Sequence, residues 1–163
     1  MYLLDANIFI QSNQAHYGLD FVPAFWDWLD QSYDDGLVIS IQPVHLELNA
    51  IKDALSAWAT ARPNFFVPMD ASCGPSLKAL AQWTNSGHFT AAAAAVTGFL
   101  GVADYQLVAY AHAHKLTVVT MEKSEPLRKN RVKIPEACNA LSVPWVNPFT
   151  MLRSENASFV LSA

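Results

Sequence analysis

Asp5, Glu47, Asp104 and Glu122 are the side chains of this sequence whose types and spacing fit one piece of chemistry. Asp5 closes the apolar run Tyr2, Leu3, Leu4, and Glu122 lies just past the β-branched run Leu116, Thr117, Val118, Val119, Thr120. Buried strands of open α/β sheets bind ligands at the edge where such runs end. Asp104 opens a helical segment at 105–114 and Glu47 lies near the start of another, so both fall in early helical turns. Four carboxylates gathered on one rim repel one another unless a cation neutralises them. Oxygen-only ligation selects a hard cation, Mg²⁺ or Mn²⁺, which keeps several waters and takes phosphate oxygens as further ligands. One or two such ions activate water and stabilise an in-line displacement at phosphorus. Each acid also has a plainer reading. Asp5 with Asn7 can simply end a strand and open a helix, and Glu47 can be a helix N-terminal acid favoured by the dipole.

Smaller groups stand around these acids. Asn7 follows Asp5 by two residues, where its amide can hydrogen-bond a carboxylate or cap the next helix. Thr120 either hydrogen-bonds a bound phosphate or finishes its strand. Half of the ten Lys and Arg residues fall in 123–133, namely Lys123, Arg128, Lys129, Arg131 and Lys133, with Glu125 as the only acid there. That stretch reads either as a phosphate-contacting loop or as a solvated surface loop. The net charge of −4 excludes a protein that wraps nucleic acid by bulk electrostatics.

The elements that must position these groups alternate. Strands are expected at 2–4, 37–41, 116–120 and 143–146, with 65–67 as a short edge strand or tethered loop. Helices are expected around 23–29, where Pro23 suits a first turn and Phe25, Trp28 and Leu29 share a face, at 44–59, at 74–83, and at 91–99 with Thr90 as cap. Others follow at 105–114, 134–141 and from 147 to 152. Within 44–59, Leu46, Glu47, Ala50, Ile51, Ala54, Leu55 and Trp58 have core spacing. Strands separated by helices imply parallel pairing and a three-layer α/β/α domain. A chain of 163 residues with 52% hydrophobic and 15% charged content fits one globular domain, here 1–152, followed by a tail at 153–163 that packs weakly or frays.

Other function classes find little support. The longest apolar run, 91–102, is too short for a membrane span and is broken by Gly98 and Gly101. No export signal is visible, and Cys73 and Cys138, without a Cys-x-x-Cys, read as core thiols in a reducing cytoplasm. His112 and His114 are two apart on a helix, so their side chains diverge, and no Cys supplements the scattered histidines as zinc ligands. There is no Gly-x-Ser-x-Gly, and Gly98-x-x-Gly101 lacks the context of a phosphate-cradling loop. The 12% aromatic content is compatible with a buried homodimer or partner surface.

Taken together, Leu4-Asp5-Ala-Asn7-Ile-Phe-Ile10, Glu47, Ala103-Asp104-Tyr-Gln-Leu-Val-Ala-Tyr-Ala111 and Val118-Val-Thr-Met-Glu122 resemble the acidic motifs of PIN-domain nucleases, in order and spacing, over nearly the whole chain. The segment 17–29 and the tail from 133–138 to 143–149 resemble a PIN-like subgroup of toxin-type proteins. The resemblance implies a parallel sheet of four to five strands, a divalent-metal ribonuclease site, an RNA substrate, and a toxin role opposite an antitoxin protein in a type II toxin–antitoxin pair. Asp5, Glu47 and Asp104 match the three most regular acidic positions and Glu122 the more variable fourth. Ala6 stands where many relatives carry Ser or Thr. On this basis Asp5 and Asp104 are expected to bind Mg²⁺ or Mn²⁺ directly, Glu47 to complete the shell or act on a water, Asn7 to orient Asp5, and Glu122 to reach the metal directly or through water. Lys123, Arg128, Lys129 and Arg131 are candidate nucleic-acid contacts. The alternatives are another metal-dependent phosphoesterase, such as a DNA nuclease, and a non-catalytic protein-binding module on the same fold.

Overall fold

The computed structural model describes residues 1–87, 89 and 92–160. Its centre is one five-stranded, all-parallel sheet in the order β3-β2-β1-β4-β5, formed by β1 (Tyr2–Leu4), β2 (Val38–Ile41), β3 (Phe66–Val67), β4 (Thr117–Val119) and β5 (Trp145–Val146). The central strand, β1, is an apolar run because it has neighbours on both sides. Leu3 pairs with Ile39 of β2 and with Val118 of β4, and Leu3 and Leu4 are fully buried. The stretch at 65–67, open between strand and loop in the sequence, adds β3 in parallel at one edge, with Ser40 opposite Phe66.

Helices α1 (Ala6–Gln11), α2 (Pro23–Asp34), α3 (Gln42–Leu48) and α4 (Ala54–Thr60) lie in the connections that run from β1 outward to β3. The return from β3 to β4 carries α5 (Gly74–Thr84), α6 (Ala92–Leu100) and α7 (Ala103–His114), and α8 (Ile134–Ala140) joins β4 to β5. Parallel crossovers are right-handed, so connections that travel in opposite directions along a sheet cover opposite faces. The result is a three-layer α/β/α fold that reverses direction between β1 and β4. Helix α9 (Pro148–Ser154) ends two residues later than expected, and the tail beyond it is not loose throughout. Phe159 packs on Tyr17 and Phe25, with ring centroids 5.9 and 6.0 Å away.

One expected element is corrected. The helix read at 44–59 is two helices, α3 and α4, because polar side chains between them compete for the backbone. Asn49 donates to the His45 carbonyl at 2.9 Å and accepts from Ser56 Oγ at 2.7 Å and Thr60 Oγ1 at 2.9 Å, while Asp53 caps α4 by accepting from the Ser56 amide. Leu46, on α3, and Ile51, in the break, both read as core, face solvent at 71% and 70% exposure. The cap expected of Thr90 lies outside the described residues.

Candidate metal centre at the sheet edge

Each acidic side chain reaches the site from a different element. β1 stops at Leu4, and Asp5 takes the extended conformation that precedes α1 (φ −73°, ψ 153°), its amide still bonded to the Val119 carbonyl of β4 at 3.1 Å. That bond places Asp5 between β1 and β4, where the direction of winding reverses and where ligands of doubly wound sheets bind. Asp5 is 1% exposed. Its Oδ2 accepts from Thr120 Oγ1 at 2.8 Å and from Asn7 Nδ2 at 3.5 Å, the long end of the hydrogen-bond range. Thr120 is fully buried, and its hydroxyl oxygen in turn accepts from the Glu122 amide at 3.1 Å. Thr120 does finish its strand, its amide donating to the Val146 carbonyl at 3.1 Å, and its hydroxyl in addition holds a carboxylate, a role that neither sequence reading included.

Asp104 stands in the first turn of α7 and Glu47 in the last turn of α3, so the N-terminal-acid reading of Glu47 does not apply. Helices α3 and α7 pack together, and both acids line a cleft of about 530 Å³ with Asn7, Phe99, Asn130 and Arg131. Electrostatics reports the convergence. Burial, and then the neighbouring Asp104 carboxylate, push the Asp5 pKa up to about 7, against the pull of Thr120 and Asn7. Burial, Glu122 and Glu47 push Asp104 up to about 6, partly offset by Arg131. Glu47 is exposed as a residue, yet partial burial of its carboxyl raises its pKa as well. Among the described residues, no Lys or Arg lies within ion-pair distance of Asp5, Glu47 or Asp104. Desolvated carboxylates that raise one another's pKa, with Arg131 near but in no direct ion pair with them, form a donor set suited to a hard divalent ion.

Glu122 differs from the other three. Its Oε1 accepts from Arg131 Nη2 at 3.1 Å and its Oε2 from the Ile134 amide at 2.8 Å, so both oxygens already have donors. It thus ties the basic stretch to the start of α8 and sets Arg131 on the cleft wall. Of the remaining cations, Arg128 and Lys133 pair with Glu125 at 2.9 and 2.7 Å. Lys123 and Lys129 are exposed and form no ion pair among the described residues. A second concavity, about 410 Å³ between Asp30, Tyr33, Arg62 and Phe65, holds an Arg62–Asp30 pair that satisfies its own charges, and Arg62 lies 4.6 Å over the Trp58 ring.

The histidines part company as expected, with His112 hydrogen-bonded to Ser76 at 2.8 Å and His114 to Asp70 at 2.8 Å. Cys138 is a fully buried core thiol. Cys73 is equally buried, and its Sγ lies within 4.8 Å of ligand atoms of Asp70 and His114. Linear spacing hid this group, because Asp70 and His114 are 44 residues apart.

The acidic cluster lies at the winding reversal of an all-parallel α/β domain, the position where sheets of this kind bind ligands. The chain belongs to the family described as Domain of unknown function (DUF4411), whose model matches residues 2–159. No curated protein and no solved structure matches it.

Proposed function

We propose that this protein is a divalent-metal-dependent endoribonuclease of the PIN-domain type, acting in the cytoplasm as the toxin of a toxin–antitoxin pair. The observation that carries the chemical part is the coupling of Asp5 and Asp104, with Glu47 beside them, at the reversal between β1 and β4. Three acids delivered by three elements, with no direct ion pair and only a partial offset from Arg131, are costly to keep ionised unless a cation is to be held. The resemblance of the acidic motifs to PIN-domain nucleases supports RNA as the substrate and an antitoxin as the partner.

In this reading Asp5 and Asp104 hold Mg²⁺ or Mn²⁺. When bound there, such an ion would supply the Lewis acidity that phosphodiester hydrolysis by water requires. Thr120 and Asn7 fix the Asp5 carboxylate so that little reorganisation is needed. Glu47, the most solvent-accessible of the three, completes the shell or takes the proton of the attacking water. Arg131 on the cleft wall meets a non-bridging phosphate oxygen, and the exposed Lys123 and Lys129 extend the contact along the strand.

Calorimetry with Mn²⁺, followed by RNA cleavage under the same conditions, tests this on the native chain and on Asp5→Asn with Asp104→Asn. Binding and cleavage are both expected in the native protein and both lost in the double variant. A native chain that binds no Mn²⁺ even with RNA present would overturn the metal mechanism, and cleavage of DNA in preference to RNA would overturn the substrate.

A further inference from the structure

Away from the acidic cleft, one cluster combines three kinds of metal-ligating atom. An oxygen of Asp70, Sγ of Cys73 and a ring nitrogen of His114 all lie within 4.8 Å of one another. Asp70 and Cys73 bracket the tight turn Ala71–Cys73 that leads into α5, and His114 is the last residue of α7. Two residues separate His114 from the start of β4 at Thr117, whereas Asp5 sits beside the far end of that strand. The cluster therefore lies at the opposite edge of the sheet from the acids.

Its geometry argues against the two plainer uses of such residues. A Cys–His–Asp nucleophile would need the carboxylate on one ring nitrogen and the thiol on the other. Here Asp70 Oδ2, at 2.8 Å, and Ser72 Oγ, at 3.3 Å, both address His114 Nε2, and Cys73 is fully buried. A plain Asp70–His114 pair would leave the thiol no part, yet Cys73 Sγ lies 3.9 Å from Asp70 Oδ1. A tetrahedral Zn²⁺ with bonds of about 2.0–2.1 Å to nitrogen and oxygen and about 2.3 Å to sulfur sets its ligand atoms roughly 3.3–3.7 Å apart. The separations from Asp70, 2.8 Å at Oδ2 to His114 and 3.9 Å at Oδ1 to Cys73, fall on either side of that range, and one ligand atom from each of the three residues lies within 4.8 Å of the others.

We propose that Asp70, Cys73 and His114 form a second metal site, for Zn²⁺ or an ion of similar softness, that clamps the start of α5 to the end of α7. A thiolate and an imidazole select such an ion over the Mg²⁺ or Mn²⁺ suited to the acidic cleft. Two features of the surroundings fit. The Tyr110 ring stacks on His114 at 4.2 Å and fixes its plane, and the side chains of His114 and Asp70 are 33% and 45% exposed, which gives an ion a way in to the buried sulfur. Three protein ligands leave the fourth position to water, next to the Ser72 hydroxyl. This site stands independently of the nuclease reading, and either can fail without the other.

Co²⁺, a spectroscopic stand-in for Zn²⁺, provides the test on the full chain. One equivalent is expected to produce thiolate-to-cobalt charge-transfer absorption that Zn²⁺ abolishes by displacement. The band is expected to vanish in Cys73→Ser, to persist in Asp104→Asn, and to need at least about tenfold more Co²⁺ in His114→Gln. Absence of the band in the native chain at saturating Co²⁺, or an undiminished band in Cys73→Ser, would overturn the proposal. Should Cys73→Ser fail to fold by circular dichroism, Asp70→Asn decides at an exposed position. A Co²⁺ affinity lowered about tenfold or more there supports the site, and an unchanged affinity sinks it.

Discussion

At the scale of single residues, Asp5 is an ionisable group held where ionisation is unfavourable. Its carboxyl rises from an ordinary 3.8 to about 7, and Asp104 rises from the same value to about 6. In the metal-free protein the folded state therefore holds these protons more tightly than the unfolded chain does. The stabilisation this brings is complete below about pH 4, declines as the acids ionise, and is gone above about pH 7. Urea denaturation of the native chain in chelator should accordingly show stability falling between about pH 4 and 7 from these two groups. Asp5→Asn should flatten that slope and raise metal-free stability at pH 8 by about 2–4 kcal/mol, while Mn²⁺ binding is lost. A native slope of the opposite sign would show that the acids are already neutralised within the fold. Asp5, Asn7 and Asp104 were legible in the sequence because each stands where an apolar or helical pattern starts or stops. The role of Thr120 was not, since a strand-ending threonine looks the same whether or not a carboxylate lies across the strand from it.

At the scale of elements, the break between α3 and α4 and the anchoring of the basic stretch decide how the cleft is walled. Asn49 joins both helices through three hydrogen bonds, so Asn49→Ala should cost about 1–3 kcal/mol in denaturant unfolding. It should also weaken Mn²⁺ binding through Glu47, which rides on the last turn of α3. Unchanged stability would mean that water replaces the amide freely. The break was hidden because Leu46, Ala50, Leu55 and Trp58 keep a helical period across it. Asn49 and Asp53 were the signals against a continuous helix, as side chains that bond backbone groups locally. Glu122 holds Arg131 and the first amide of α8, so Glu122→Ala should speed amide hydrogen exchange in 123–133 relative to the rest of the chain. Exchange that is unaltered there would show the stretch to be held by the Glu125 pairs with Arg128 and Lys133 instead. That Glu122 lies past a strand end was readable; that its oxygens are taken by a loop returning from downstream was not, because loop paths leave no period.

At the scale of the whole molecule, the alternation of apolar runs with helical segments was enough to read a parallel α/β/α sheet, because crossover connections leave few other arrangements. Strand order was not readable, nor was the grouping of Asp70, Cys73 and His114, since both depend on how far the chain travels between paired segments. The sheet order carries one more consequence. β1 is flanked by β2 and β4, and Thr120, which grips Asp5, follows it by 115 positions. During synthesis the central strand therefore leaves the ribosome long before one of its two neighbours exists. A nascent chain that stops short of β4 carries Asp5 with neither the Thr120 hydroxyl nor its full complement of backbone pairing, so it has no assembled acidic cleft. The cleft is completed late in translation, once most of the polypeptide has emerged.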